Sequence, residues 1–154
     1  LGAKGMTGDA DCLRGDYDIK TDVTAFDFIR VHDWLSNDAY WSPDIPLNVV
    51  ERAFSNSLAF GLFHAKQGQV GVARMITDRA TFAYLADVYI DPQHRGQGLA
   101  IWLMETIMAH TELQGLRRMM LATSDMHALY RKFGYTKLAN PEIIMEQVKP
   151  DIYK

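Results

Sequence analysis

An apolar run from Phe82 to Ile90 breaks over Asp91-Pro92-Gln93-His94-Arg95-Gly96-Gln97-Gly98 and resumes as the amphipathic stretch Leu99 to His110. Strand, glycine turn, helix is the one local order that satisfies this pattern, and it restricts the fold more than any other part of the chain. Such a turn aims free backbone N–H groups outward at the helix start, where they hold anionic oxygens. Gly96 and Gly98 can take positive φ and leave room against the backbone, and Arg95 adds a cation beside them. By chemistry alone this is an anion site, best suited to a diphosphate. The plain alternative is a solvated turn whose glycines only permit the bend. Two other phosphate loops are excluded. Leu99 and Ala100 stand where a P-loop needs Lys and Ser or Thr, and Ile101 stands where a dinucleotide fingerprint needs its third glycine.

The 154 residues suit a single domain with a full core, expected over 16–154. Sixteen basic and 19 acidic side chains leave a formal charge of −3, which gives no footprint for nucleic acid or an anionic membrane. No apolar run approaches the roughly 20 residues of a membrane span. Leu1 to Gly15 is glycine-rich without a signal-peptide core, and it is expected to be a flexible leader or an appended remnant. Cys12, the single cysteine, can make no internal disulfide and no cysteine cluster; its place in the leader disfavours a catalytic thiol. These features fit a reducing, cytoplasmic setting. The scattered His32, His64, His110 and His127 have no metal-ligand spacing, so no metal is expected. No Gly-x-Ser-x-Gly elbow is present for serine hydrolysis.

Periodicity places further elements on either side of that turn. Tyr17 to Val23 reads as a short edge strand. Asp27 caps a helix to about Ser36, and Pro46 suits the first position of a second helix with Val49, Val50, Ala53 and Phe54 on its apolar side. Leu58 to Ala65 and Val70 to Thr77 form a hairpin across Lys66-Gln67-Gly68-Gln69, and Asp78-Arg79-Ala80 turns into the strand Thr81 to Ile90. Leu99, Leu103 and Ile107 give the next helix its buried stripe. Arg118 to Ala122 is a strand, and Asp125 caps a short helix, Met126 to Lys132, closed by Gly134. Thr136 to Leu138 and Ile143 to Val148 are late strand material around Asn140-Pro141. The fold class is therefore α/β (α+β): a mixed, largely antiparallel sheet with helices on both sides.

With these elements in place, the chain resembles the GCN5-related N-acetyltransferase (GNAT) superfamily. The family's acyl-CoA motif, Gln/Arg-x-x-Gly-x-Gly/Ala, falls on Gln93, Gly96 and Gly98, with Arg95 as the frequent basic residue before the first glycine. A second block, Ala128-Leu129-Tyr130-Arg131-Lys132-Phe133-Gly134-Tyr135, matches its Tyr-x-x-x-Gly-Phe/Tyr pattern; only the upstream alanine spacing is inexact. The two blocks and the helix between them cover roughly Leu85 to Tyr135, and both at this spacing are specific where either alone is weak.

The resemblance implies a sheet splayed at an acyl-CoA site and transfer of an acetyl group from acetyl-CoA to an amine by direct attack in a ternary complex. It implies that N–H groups from His94 through Arg95, Gly96, Gln97, Gly98 and Leu99 to Ala100 hold the CoA diphosphate, with Gln93 opening the motif. Pantetheine would lie beside Asp87, Val88, Tyr89 and Ile90, the Val88 backbone near the thioester. Tyr130 would protonate the departing sulfur, although a packing tyrosine is the simpler reading of an isolated residue. Asp87, a carboxylate in an apolar strand, either orients the amine, takes its proton, or pairs structurally with Arg74. The side chains of His94 and Arg95 are expected to meet solvent or phosphate. Tyr40 and Trp41 would line the acceptor side or else cover a core edge. The acceptor is a small-molecule or peptide amine, and the chain a monomer or homodimer. The rival reading is a noncatalytic acyl-CoA-binding or regulatory module whose acceptor groove is closed.

Overall fold

The computed structural model describes residues 12–154. Six strands lie side by side in chain order: β1 (Cys12–Arg14), β2 (Tyr17–Lys20), β3 (Leu58–His64), β4 (Gly68–Thr77), β5 (Phe82–Ile90) and β6 (Arg118–Leu121). Every neighbouring pair is antiparallel until β5, through short turns except for the helical connection between β2 and β3, and β5 pairs with β6 in parallel after a crossover through α3 (Leu99–Ala109). Before β3 come α1 (Phe28–Asp33), which runs on into a π-helical turn at Trp34–Asp38, and α2 (Leu47–Ser55); after β6 comes the short α4 (His127–Arg131).

Apolar residues are continuous in β3 and β4 because both faces of the sheet are covered. On one face Phe60, Leu62, Met75 and Leu85 pack with Leu103 and Ile107 of α3. On the other, Ala59, Val72 and Tyr89 pack with Val31, Leu35 and Phe54 of α1, its π turn and α2. The predicted stripe of α3 is buried as expected, with Trp102, Met104 and Thr106 buried alongside it.

Several boundaries differ from the sequence reading. Residues 1–11 and the Cys12 side chain lie outside what is described, but Cys12–Arg14 forms β1, so the expected leader contributes a strand and β2 is not the sheet edge. Asp27 does cap α1, accepting the Arg30 N–H at 3.1 Å. Pro46 is the N-cap residue of α2 and not its first helical residue. Asp125 caps nothing: Met126 occupies the N-cap of α4 without a side-chain cap. The late strands are absent. After Gly134 the described chain has only a 3-10 turn at Pro141–Ile143, and β6 ends the sheet. A strand is a property of two paired segments, and no segment of the described chain pairs with this one.

Candidate acyl-CoA and acceptor site

The turn between β5 and α3 is stiffer than its glycines suggest. Pro92–His94 winds into a 3-10 turn whose N-cap, Asp91, accepts the Gln93 N–H at 2.9 Å through its side chain and the His94 N–H at 2.9 Å through its carbonyl. The Arg95 N–H reaches the Pro92 carbonyl at 3.4 Å. These three donors are thus already engaged, which narrows the expected anion-binding set. Helix α3 begins its hydrogen bonding with Trp102 to Gly98, so the N–H groups of Gly96, Gln97, Gly98, Leu99 and Ala100 have no acceptor among the described residues. Gly96 and Gly98 sit at φ +79° and +77°, and a Cβ at either would meet nothing within 4 Å. The cradle is open, preformed and rich in donors, which fits the diphosphate of a CoA thioester.

Of the two flanking side chains expected to meet solvent or phosphate, Arg95 is exposed to solvent and His94 is not. His94 is buried: Nε2 donates to Gln67 Oε1 at 2.5 Å, and Nδ1 takes the Tyr17 hydroxyl at 2.7 Å. An amide oxygen only accepts, so this pair selects the Nε2–H tautomer. The ring meets neither solvent nor phosphate; it ties the turn to β2 and to the β3–β4 hairpin. Arg95 donates to the Ile90 carbonyl at 2.8 Å and lies over the Tyr89 ring, 5.2 Å from its centroid. Tyr89 itself stacks on Trp34 and donates its hydroxyl to Asp38, so it can offer a ligand only its backbone.

Beyond Leu85, paired with Leu121, β5 and β6 part, and among the described residues no strand pairs with 86–90 on that edge. The separation coincides with a bulge. Val72 faces Tyr89 while Arg74 faces Ala86, so Asp87 and Val88 together oppose Ala73, and Asp87 takes φ +55°. A carboxylate-bearing residue accepts this conformation more readily than a β-branched one. The bulge turns Asp87 toward Arg74 of β4 and the loop before α2: Oδ2 receives Arg74 Nε at 2.5 Å, and Oδ1 receives the Trp41 indole N–H at 2.8 Å. Arg74 also reaches Ser57 Oγ at 3.3 Å and lies over the Phe54 ring. Of the roles weighed for Asp87, the ion pair with Arg74 is the one in place.

A cavity of about 330 Å³ opens at this parting of the strands. Tyr40, Trp41, Asp87, Val88, Asp125 and Tyr130 are among its walls, so residues far apart in the chain converge there. Tyr40 and Trp41 meet edge to face at 5.0 Å, and the Tyr40 hydroxyl accepts the Ser124 N–H at 3.1 Å, bridging α1's far end to the β6–α4 loop. Both rings stay substantially exposed, which separates them from the core. Tyr130 is buried against Tyr135, and its hydroxyl has no hydrogen bond from the described residues. Burial above all, with the neighbouring Tyr135, Tyr40 and Asp125 adding to it, pushes its phenol up to about 12. It holds its proton at neutral pH. Sequence reasoning missed Asp125 and Tyr84 in these walls. Asp125 looked like a helix cap, and only the tertiary fold turns it to the cavity.

Known proteins share this architecture. The acetyltransferase (GNAT) domain profile matches residues 58–137. A Gibberella zeae protein assigned to the acetyltransferases is 36% identical, over 84% of each chain. A crystal structure of a GNAT-family protein from Xanthomonas campestris pv. campestris is 46% identical, covers 92% of this chain and 99% of its own, and superposes with a TM-score of 0.87. The fold extends to a Clostridium acetobutylicum structure solved with acetyl-CoA, at 16% identity and a TM-score of 0.63 over 86% of this chain and 94% of that one. With the profile spanning the sheet from β3 onward, the glycine turn and α4, the chain belongs to the GNAT family of acetyltransferases.

Proposed function

We propose that this acetyltransferase moves an acetyl group from acetyl-CoA to an amine, by direct attack within a ternary complex. When bound, acetyl-CoA supplies a thioester carbonyl already activated toward an amine. The donors of Gly96, Gln97, Gly98, Leu99 and Ala100 hold its diphosphate at the start of α3. The open edge at residues 86–90 offers backbone groups to the pantetheine amides, and the Val88 backbone is the candidate oxyanion donor. Trp41 and Tyr40 shape the acceptor side. Asp87 acts as a positioning residue, holding the Trp41 indole in place through its Arg74-anchored carboxylate. Tyr130 keeps a proton at its hydroxyl for the departing sulfur.

The observation that carries this reading is Tyr130, a buried ring whose hydroxyl has no hydrogen-bond partner among the described residues, in the same cavity as the freed β5 edge and the exposed Trp41. An amine screen for acetyl-CoA-dependent thiol release identifies the acceptor. Tyr130→Phe, which keeps the ring and removes the proton, is then expected to leave acetyl-CoA affinity nearly unchanged while kcat falls roughly ten- to a thousandfold. Undiminished kcat makes Tyr130 a packing residue. Tight acetyl-CoA binding by the wild type without turnover of any amine favours a binding or regulatory module instead.

A further inference from the structure

The cavity at the parting of β5 and β6 has an unbalanced charge. Its charged wall residues are Arg74, Asp87 and Asp125. Arg74 and Asp87 pair with each other at 2.5 Å and cancel. Asp125 has no cation partner among the described residues. The Ser124 hydroxyl stands 3.5 Å from its Oδ1, longer than an ordinary O–H···O bond. The basic residues of α4, His127 and Arg131, line the larger hollow along β6 and not this cavity. One negative charge is left over in the wall.

Aromatic rings stand beside that charge. Asp125 follows Ser124, whose N–H is taken by the Tyr40 hydroxyl at 3.1 Å, so a single peptide links the carboxylate to the Tyr40 ring. Tyr40 in turn meets Trp41 edge to face, and the two rings are 59% and 40% exposed. The half-buried Tyr84 adds a third ring to the wall. Exposed rings next to an unpaired carboxylate attract a cation, the ring quadrupole adding to the Coulomb term. The Asp125 charge also reaches inward, since it is among the groups that hold the proton on Tyr130.

We propose that the acceptor carries a second, protonated nitrogen a few bonds from the reacting amine, and that Asp125 with the rings of Tyr40 and Trp41 holds that cation. The inference rests on the amine-acetylation reading above and narrows it to a substrate class. The reacting nitrogen itself is a poor match for Asp125. A carboxylate beside an amine favours the ammonium form, which has no lone pair with which to attack. The productive arrangement puts the Asp125 charge on a different nitrogen and leaves the reacting one at the thioester beside Val88. There the neighbouring carboxylate, Asp87, is already matched by Arg74. The same leftover charge disfavours acceptors whose far end is a carboxylate or phosphate.

The test is acetyl-CoA-dependent thiol release by the full chain with putrescine, butylamine and γ-aminobutyrate. These share a four-carbon chain and a reacting amine, and their far ends are cationic, neutral and anionic at neutral pH. The trio is repeated with shorter and longer chains. At the best length the diamine should exceed the monoamine in kcat/KM by roughly fivefold or more, with the amino acid lowest. Because a diamine offers two ends, the decisive comparison is between proteins. Asp125→Asn should bring the diamine-to-monoamine ratio down toward the twofold that two ends supply, and Asp125→Lys should shift preference toward γ-aminobutyrate, both with native circular dichroism. In the wild type, added salt should raise KM for the diamine more than for the monoamine, a readout that needs no variant. A monoamine used as well as the diamine at every length overturns the inference, as does a ratio unmoved by Asp125→Asn. Turnover of other amines but no diamine also overturns it and leaves the amine-acetylation reading standing. Thiol release with no amine of any kind sinks both.

Discussion

Gly96 and Trp41 are single positions where the chemistry of the site can be separated from its packing. At Gly96 the backbone sits at φ +79° beside open space, so a side chain there meets no protein and blocks only what the cradle receives. Gly96→Asp adds backbone strain and a negative charge, and titration calorimetry should find acetyl-CoA affinity lower by an order of magnitude or more, with the fold intact. An unchanged affinity removes the anion site from this turn. Trp41 makes its one described hydrogen bond to Asp87 and otherwise faces the cavity and Tyr40. Trp41→Ala should therefore raise KM for the identified amine more than KM for acetyl-CoA in kinetics that vary each substrate in turn. Selective damage to acetyl-CoA binding would move Trp41 to the other side of the site.

At the scale of elements, the bulge in β5 depends on a glycine one strand away. A Cβ at Gly71 would lie 3.0 Å from Ile90 Cδ1, 3.1 Å from the Tyr89 carbonyl oxygen and 3.2 Å from Leu62 Cβ. The carbonyl belongs to the ladder and cannot swing aside, so Gly71→Ala should push β5 outward beside the bulge. The expected loss is about 1–3 kcal/mol in urea denaturation, partly offset by the stiffer unfolded chain. Stability equal to wild type would show that the strand yields freely there. Such dependence also explains what was legible in the sequence. The α3 stripe, the hairpin turn and the glycine turn are local patterns, and each is found where periodicity and turn chemistry put it. Asp87 stood out as a carboxylate in an apolar strand, but its bulge follows from β4–β5 register, a pairing between distant segments. His94 looked like a surface residue because nothing near it in sequence announces Tyr17 or Gln67. Thr136 to Leu138 and Ile143 to Val148 have the composition of strands, yet composition cannot supply the neighbour that makes a strand.

For the whole molecule, three phenols, two buried and one half-buried, set an alkaline limit. Tyr89, Tyr130 and Tyr135 are each pushed up to about 12, in every case chiefly by burial. The folded chain keeps phenolic protons that the unfolded chain releases near pH 10, so this contribution is complete below about pH 10 and declines as pH rises toward 12. Phenolate absorbance should show a late-titrating group of tyrosines in the native chain, and the urea midpoint should fall across that window; tyrosines that all ionise together near their ordinary value would contradict it. The short β3–β4 turn has a larger reach than any of these side chains. Gln67 receives His94, its carbonyl and that of Gln69 receive Arg30 at 2.7 Å each, and Gln69 Oε1 receives the Asp27 N–H at 2.7 Å. Hairpin tips are ordinarily where a chain tolerates added residues, tags or grafted epitopes. Here that tip is a junction for α1 and the glycine turn, so lengthening it would detach both at once, and a permissive site for engineering must be sought elsewhere on the surface.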